Sequence, residues 1–185
     1  MRKTLYLFGI LNEADIEWMM AVGRREYVPA GALLVQEGQP LDAMYIVLQG
    51  QFRVSIADGI ELACLLAGEV IGEISFVDSR PPTATVTALE DAFVLAIPRS
   101  QLTVKLAEGD GFAARFYHAL SILLADRLRS ADRLHSAVSR LGNSQETDVL
   151  EEDFEYPDEL DPLVLQRMAL AGARFDWMLK NLQVT

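Results

Sequence analysis

The sequence predicts a mainly β protein with flanking α-helices, built as an antiparallel β-roll or jelly roll. Between Arg24 and Pro98 the chain consists of short β-forming runs, and turn residues such as glycine, proline and aspartate separate them. Helical periodicity occurs before and after this region. Regularly spaced short strands between turns are typical of an antiparallel sandwich or barrel, so these observations together favour that class.

A helix over residues 12–22 is predicted ahead of the β-rich region. Asn12 can cap its first turn, Asp15 stands at the third helical position, and Gly23 follows as a stop. This helix belongs to a first domain that we place at residues 1–141.

The β-rich region contains alternating apolar and polar residues, as a half-buried strand requires. Phe52 and Val54 alternate with Arg53 and Ser55 in the clearest example, and we expect the single cysteine, Cys64, to be buried. An insertion at residues 72–82, which begins like a helix and ends in prolines, interrupts the series. The predicted strands are residues 26–28, 33–35, 44–48, 52–56, 62–66, 85–88 and 93–97.

Two helices are predicted to close this first domain. Ser100 can cap a short helix that ends at residue 107, and a longer helix spans residues 111–141. Arg127 lies off the apolar stripe of the longer helix. About thirty residues is long for a helix in a small domain, so we expect part of the stripe to contact a second copy of the chain. The candidate residues of this homodimer interface are Leu120, Leu124, Leu128, Ala131, Leu134 and Val138.

An acidic linker and a tail helix are predicted to follow. Within the linker, 142–161, residues 146–161 carry nine acidic and no basic side chains, as is typical of an extended segment. The tail helix lies in residues 162–185, and a heptad-like apolar seam runs from Val164 to Leu182. Two interpretations stay open: the seam docks on its own domain or dimer mate, or it binds a groove of another protein.

The insertion carries the most informative motif, Gly-Glu-Ile-Ser-Phe-Val-Asp-Ser-Arg-Pro-Pro-Thr-Ala-Thr-Val at residues 72–86. It resembles the phosphate-binding cassette of cyclic-nucleotide-binding domains, as in catabolite-activator (Crp/Fnr-like) and regulatory-subunit proteins. The resemblance extends from Leu7 to Leu141 and includes a strand that ends at Gly50. The cassette residues that it makes candidates for ligand binding are Gly72, Glu73, Ile74, Ser75, Arg80, Pro82, Thr83 and Ala84.

The resemblance implies specific roles at two cassette positions. It implies that Glu73 accepts the ribose 2′-hydroxyl, and that an arginine binds the cyclic phosphate through two donors. Aligning Thr83 and Ala84 with the end of the motif places Pro82 where that arginine belongs. Proline has neither charge nor N–H, so ordinary cyclic-nucleotide binding is not expected unless Arg80 turns into the pocket instead.

The charge distribution argues against nucleic-acid and membrane partners. The net charge is −11, and residues 146–161 hold nine of the 27 acidic residues, which leaves 18 acidic against 16 basic side chains elsewhere. Phosphate binding needs an excess of basic residues. After Leu141 the acidic block stands where DNA-binding relatives carry a helix-turn-helix domain, and no apolar run approaches the length of a membrane helix.

Signals of catalysis are also weak. His118 and His135 are 17 residues apart on one helix, and metal-ligand spacings and nucleophile motifs are not found. We therefore predict a non-enzymatic, cytoplasmic regulatory or protein-interaction module that needs no metal or cofactor. One alternative is a genuine sensor of cAMP, cGMP or a related small ligand that signals through the long helix. A DNA-binding transcription regulator is the other.

Overall fold

The β-rich region folds into two antiparallel sheets with helices at one side. A computed structural model describes residues 6–109, 111–142 and 162–183, with side chains described at 7–57, 59–109, 111–129 and 169–183. In these residues the helices are α1 Tyr6–Ile10, α2 Glu13–Val22, α3 Glu73–Asp78, α4 Arg99–Ala107, α5 Phe112–Gly142 and α6 Pro162–Asn181. The strands are β1 Arg24–Val28, β2 Leu33–Val35, β3 Ala43–Gln49, β4 Phe52–Ser55, β5 Glu61–Leu65, β6 Val70–Ile71, β7 Thr85–Ala88 and β8 Ala92–Pro98.

Each sheet contains four strands, and every pairing is antiparallel. The first sheet has the order β1-β8-β3-β6 and the second has the order β2-β7-β4-β5. The predicted fold class is confirmed, and every predicted strand is present within two residues of its expected ends. The two-residue strand β6 was not predicted, because a run this short has no periodicity of its own.

The central strands of the first sheet, β3 and β8, are buried on both faces. Alternate residues of β3 and β8, such as Ile46 and Leu95, face the helices and share one core with them. The residues between them, such as Val47 and Val94, face Phe52 of the second sheet in another core. Side chains that alternate between two apolar layers explain why β3 and β8 read as almost continuous apolar runs.

Cys64 is exposed, contrary to the expectation from the sequence. It lies on β5, an edge strand of the second sheet, where it pairs with Arg53 of β4. The next pair in the register, Phe52 with Leu65, is buried. Because neighbouring residues of a strand face opposite sides, the Cys64 pair faces outward.

The helices before and after the sheets follow the predicted boundaries with two differences. Asn12 and Asp15 form the predicted capping box, with hydrogen bonds of 2.8 and 2.9 Å between each side chain and the other's backbone N–H. Helix α1 was not predicted. Helix α4 begins at Arg99, and its N-cap is Pro98 instead of the predicted Ser100. The chain leaves β8 at this proline, and the proline φ of −59° already suits the start of a helix.

The tail helix α6 packs on the domain that precedes it in the same chain. Ala171, Phe175 and Met178 are buried in the core shared with α1 and α5, and the rings of Phe8 and Phe175 lie 5.3 Å apart. This packing supports the first of the two interpretations of the seam. Its buried positions are not available to another protein's groove, while the side chains of Val164 and Met168 lie outside the described residues.

Candidate ligand site

The cassette begins where strand β6 turns into helix α3 at Gly72. Gly72 has φ 91° and ψ 2°, and a Cβ at this position would lie 2.5 Å from Leu41 Cδ2. A left-handed backbone and this close approach both require glycine. The turn makes Glu73 the first residue of α3 and directs its side chain into the protein, where the residue is only 1% exposed.

The Glu73 carboxylate is engaged by an arginine from the long helix. Arg127 of α5 donates to Glu73 Oε1 through one terminal nitrogen and to the Val70 carbonyl through the other, at 2.7 Å. Burial raises the pKa of Glu73 above its ordinary value, and the positive charge of Arg127 acts in the opposite direction. The carboxylate that the resemblance assigns to a ribose hydroxyl therefore already has a partner within the chain.

The other end of the cassette helix is held by a second arginine. Arg99, the first residue of α4, lies 5.3 Å from the ring centre of Phe76. Its guanidinium also comes within 3.5 Å of the Phe76 carbonyl and of Ser79 Oγ. Ser79, the C-cap residue of α3, adopts the left-handed conformation with φ 59°. Neighbouring helices thus contact both ends of α3 through arginine side chains.

Arg80 does not join Glu73 in the cassette. Its backbone N–H binds Asp78 Oδ1 at 3.0 Å, the residue is exposed, and in the described residues its guanidinium forms no hydrogen bond or ion pair. Pro82 is half-buried, and its carbonyl accepts from the Gly38 N–H at 2.8 Å, which holds the cassette end against the turn after β2.

The remaining cassette candidates differ in their exposure. Ser75 is buried on the inner face of α3 with Glu73, whereas Ile74 is 50% exposed on the outer face. Thr83 is exposed and Ala84 is half-buried, just before β7. The structure thus brings Gly72, Glu73 and Ser75 together at one end of the cassette.

The proposed dimer face of α5 is only partly available. Leu120 is 1% exposed in the core of its own chain, so it does not belong to an outer surface. Leu124 is half-buried and Leu128 is 65% exposed. The side chains of Ala131, Leu134 and Val138 lie outside the described residues.

Arg127 is the site residue that sequence reasoning missed. It was placed with the charged side chains off the apolar stripe of α5. One clue was present: Arg127 follows the apolar residue Leu123, which the structure buries, by four residues, so both lie on the same face of the helix. A basic residue at that position can satisfy a buried acidic residue on the element that it faces.

Two negative observations complete the description of the site. The described residues contain no group of three or more His, Cys, Asp or Glu side chains placed to hold a metal ion. Among the helices of this part of the chain, none has the length and apolar character needed to cross a membrane.

Comparisons with known proteins agree with this architecture. A cyclic AMP receptor protein from Thermus thermophilus is 32% identical over 130 residues, which cover 68% of this chain and 58% of that protein. A cyclic nucleotide-gated potassium channel from Mesorhizobium japonicum is 31% identical over 91 residues, 49% of this chain and 25% of the channel. The chain therefore spans little more than half of one relative and a quarter of the other.

The fold similarity extends over more of the chain than the sequence similarity. The crystal structure of the catabolite activator protein of Thermus thermophilus superposes with a TM-score of 0.60 at 24% identity, over 96% of this chain and 86% of that one. The family model of the cyclic nucleotide-binding domain matches residues 25–108, which run from β1 to the end of α4. Residues 25–108 thus belong to the cyclic nucleotide-binding domain family, and the fold around them is the β-roll of the catabolite activator protein.

Proposed function

We propose that the chain is a non-enzymatic regulatory or protein-interaction module whose cassette is held by its own residues instead of by a cyclic nucleotide. One observation carries the proposal: the buried Glu73 carboxylate accepts a hydrogen bond from Arg127. A ribose hydroxyl would have to displace that guanidinium or share the carboxylate with it. Displacement would leave a buried charge without its partner, which is costly.

The phosphate end of the cassette supports the same proposal. Pro82 stands where the family places its arginine, and Arg80 is exposed with its backbone turned toward Asp78. Loss of one partner of a desolvated charge pair costs about 2–5 kcal/mol. That range corresponds to roughly 30-fold to several-thousand-fold in affinity. Cyclic nucleotides would therefore lose contacts at both the ribose and the phosphate.

A homodimer in the cytoplasm is part of the proposal. Leu128 exposes 65% of its surface on α5, and further apolar residues of the stripe follow it in the sequence. A second copy of the same helix would cover this stripe. The proposal includes no nucleic-acid partner, since the basic residues of the chain do not exceed its acidic ones.

A second candidate function, sensing of cAMP, cGMP or a related anion, is favoured by one feature. The cassette retains a cation next to Glu73, because Arg127 supplies from α5 the charge that Pro82 lacks. In that case the ligand phosphate would draw Arg127 away from Glu73, and both residues would contact the ligand.

Isothermal titration calorimetry with cAMP and with cGMP distinguishes the two functions. The proposal expects no saturable heat from wild type at micromolar ligand, and the same result from Glu73→Ala. A micromolar dissociation constant that is lost in Glu73→Ala and retained in Glu90→Ala, an exposed control, would establish the sensor and overturn the proposal.

A further inference from the structure

The segment between helix α3 and strand β7 carries a hydroxyl group on an exposed stretch of backbone. Residues 79–84 lie outside the helices and strands, and both Arg80 and Thr83 are exposed there. In the part of the chain that the structure describes, the Thr83 hydroxyl forms no hydrogen bond, whereas the Thr85 hydroxyl accepts the Glu37 N–H at 3.2 Å. The Thr83 hydroxyl is therefore accessible to a reactant from outside the chain.

Two prolines restrict the backbone of this stretch. Arg80 precedes Pro81, and Pro81 precedes Pro82, and a residue before proline is confined to extended backbone. The Pro82 carbonyl also accepts the Gly38 N–H at 2.8 Å, which fixes the end of the stretch to the turn after β2. Because little backbone freedom is left to lose, the stretch can enter the cleft of another protein at a small cost in conformational entropy.

Arg80 lies three residues before Thr83 and offers a charge for recognition. Among the described residues, its guanidinium has no hydrogen-bond or ion-pair partner, so it is available to a carboxylate of another protein. A protein kinase with carboxylates beside its active site can bind this guanidinium and so place the Thr83 hydroxyl at the γ-phosphate of its nucleotide. An exposed hydroxyl at this distance from an arginine is therefore suited to phosphorylation.

The same spacing of arginine and hydroxyl occurs at two other places in the sequence, and the fold separates them from Thr83. Ser130 follows Arg127 by three residues, and Ser136 follows Arg133 by three. Both serines lie within helix α5. The backbone hydrogen bonds of a helix would have to break before the chain could lie extended in a cleft. The sequence thus contains three such sites, and the secondary structure favours Thr83.

We propose that Thr83 is a phosphorylation site and that a protein kinase recognises it through Arg80. The γ-phosphoryl group of a nucleoside triphosphate is transferred: its bond to the β–γ bridging oxygen breaks, and a bond from Thr83 Oγ1 to phosphorus forms. The hydroxyl proton passes to a base of the kinase, and the nucleoside diphosphate leaves. The product adds a charge of about −1.5 to −2 at the end of the cassette, where Arg80 can pair with it. The inference goes beyond the proposed function and does not depend on it.

Phosphorylation of the full chain tests the site. The chain is incubated with ATP, Mg²⁺ and a purified serine/threonine kinase that prefers arginine three residues before the hydroxyl, and tandem mass spectrometry locates the phosphate. Wild type is expected to gain one phosphoryl group, at Thr83. Arg80→Met is expected to slow the reaction by about tenfold or more, the effect of losing one charge contact. Arg53→Met is the matched control, since Arg53 is an exposed arginine on β4, and it should react at the wild-type rate.

Two substitutions at the site itself complete the test. Thr83→Ser keeps the hydroxyl and should still be phosphorylated, whereas Thr83→Ala should gain no phosphate. Because Thr83 is exposed, urea unfolding should find both variants as stable as wild type. No phosphate on wild type, phosphate at Ser130 or Ser136 instead of Thr83, or equal rates in Arg80→Met and Arg53→Met would overturn the proposal. Calorimetry with cAMP and cGMP tests the proposed function separately, and a nucleotide bound there would not affect this site.

Discussion

Phe8 of α1 and Phe175 of α6 pack with their ring centres 5.3 Å apart. Arg174, which precedes Phe175, also hydrogen-bonds to Phe8, although the two residues are 166 positions apart in the sequence. Arg174 donates to the carbonyls of Phe8 and Leu11 at 3.0 and 2.7 Å. It therefore satisfies carbonyls that the end of α1 leaves free, and places a cation where the helix dipole favours one. The tail helix is thus part of the helical layer.

Phe175→Ala is expected to destabilise the chain by about 3–5 kcal/mol, because it removes a ring from the core. Phe175 is 2% exposed, whereas Trp177 on the same helix is 38% exposed, so Trp177→Ala should cost much less. Urea unfolding measures both. Since α6 docks on its own chain, the loss of unfolding free energy should not depend on protein concentration. Equal losses in Phe175→Ala and Trp177→Ala would contradict the packing of α6 on its own domain.

Asp15→Asn is expected to cost about 2 kcal/mol, since it weakens both a helix cap and a largely buried ion pair. Asp15 accepts from Arg115 Nε at 2.6 Å and from a terminal nitrogen at 2.7 Å, which joins the start of α2 to the start of α5. Glu17→Gln removes an exposed charge from the same helix and should be nearly neutral. Urea unfolding of the two variants tests this difference, and similar losses would argue against the ion pair.

The fold could be predicted from the sequence because its information is local. Alternation in β4, glycines in the turns and the Asn12–Asp15 capping box each involve residues that are close in the chain. The motif at Gly72 then identified the cassette. Short elements such as β6 were missed because two residues carry no period.

The partner of Glu73 could not be predicted in the same way. Arg127 follows it by 54 residues and is brought to it by the packing of α5 on the cassette. On a helical wheel Arg127 resembles a solvated charge, since a long side chain on the edge of an apolar stripe can reach water or a neighbouring element. The burial of Leu120 and the exposure of Arg80 also depend on tertiary packing.

The pKa of Glu73 gives a prediction about pH. Burial raises this pKa above its ordinary value of 4.5, so the folded chain binds more protons than the unfolded chain between the two pKa values. The free energy of unfolding of wild type, compared with that of Glu73→Gln, is therefore greatest below pH 4.5. It falls as the pH rises through the folded-state pKa of Glu73.

Arg127→Met should raise the pKa of Glu73 further, since Arg127 lowers it, and should extend this pH window upward. Carboxyl ¹³C NMR titration reports the pKa directly, and urea unfolding at several pH values reports its effect on stability. An unchanged or lower pKa in Arg127→Met would show that the two groups do not interact.

An arginine at position 82 should restore cyclic-nucleotide affinity only where the Glu73 carboxylate is also free of Arg127. In an Arg127→Met background, Pro82→Arg is expected to tighten cAMP binding by roughly 30-fold or more, the effect of regaining a charge partner. Pro81→Arg is the matched control, because it adds the same charge at an exposed neighbouring position. Calorimetry measures the cAMP affinity of both variants. Equal affinities of Pro82→Arg and Pro81→Arg would argue against the alignment that places Pro82 at the position of the family's arginine.

A double-mutant cycle between Glu73 and Arg127 tests the central claim, that the chain's own ion pair holds the cassette, most directly. Urea unfolding of wild type, Glu73→Gln, Arg127→Met and the double variant gives the coupling energy of the pair. Arg127 is 32% exposed in its side chain, which weakens the pair through solvent screening, so we predict a coupling of about 1–2 kcal/mol. A coupling energy indistinguishable from zero would contradict the account.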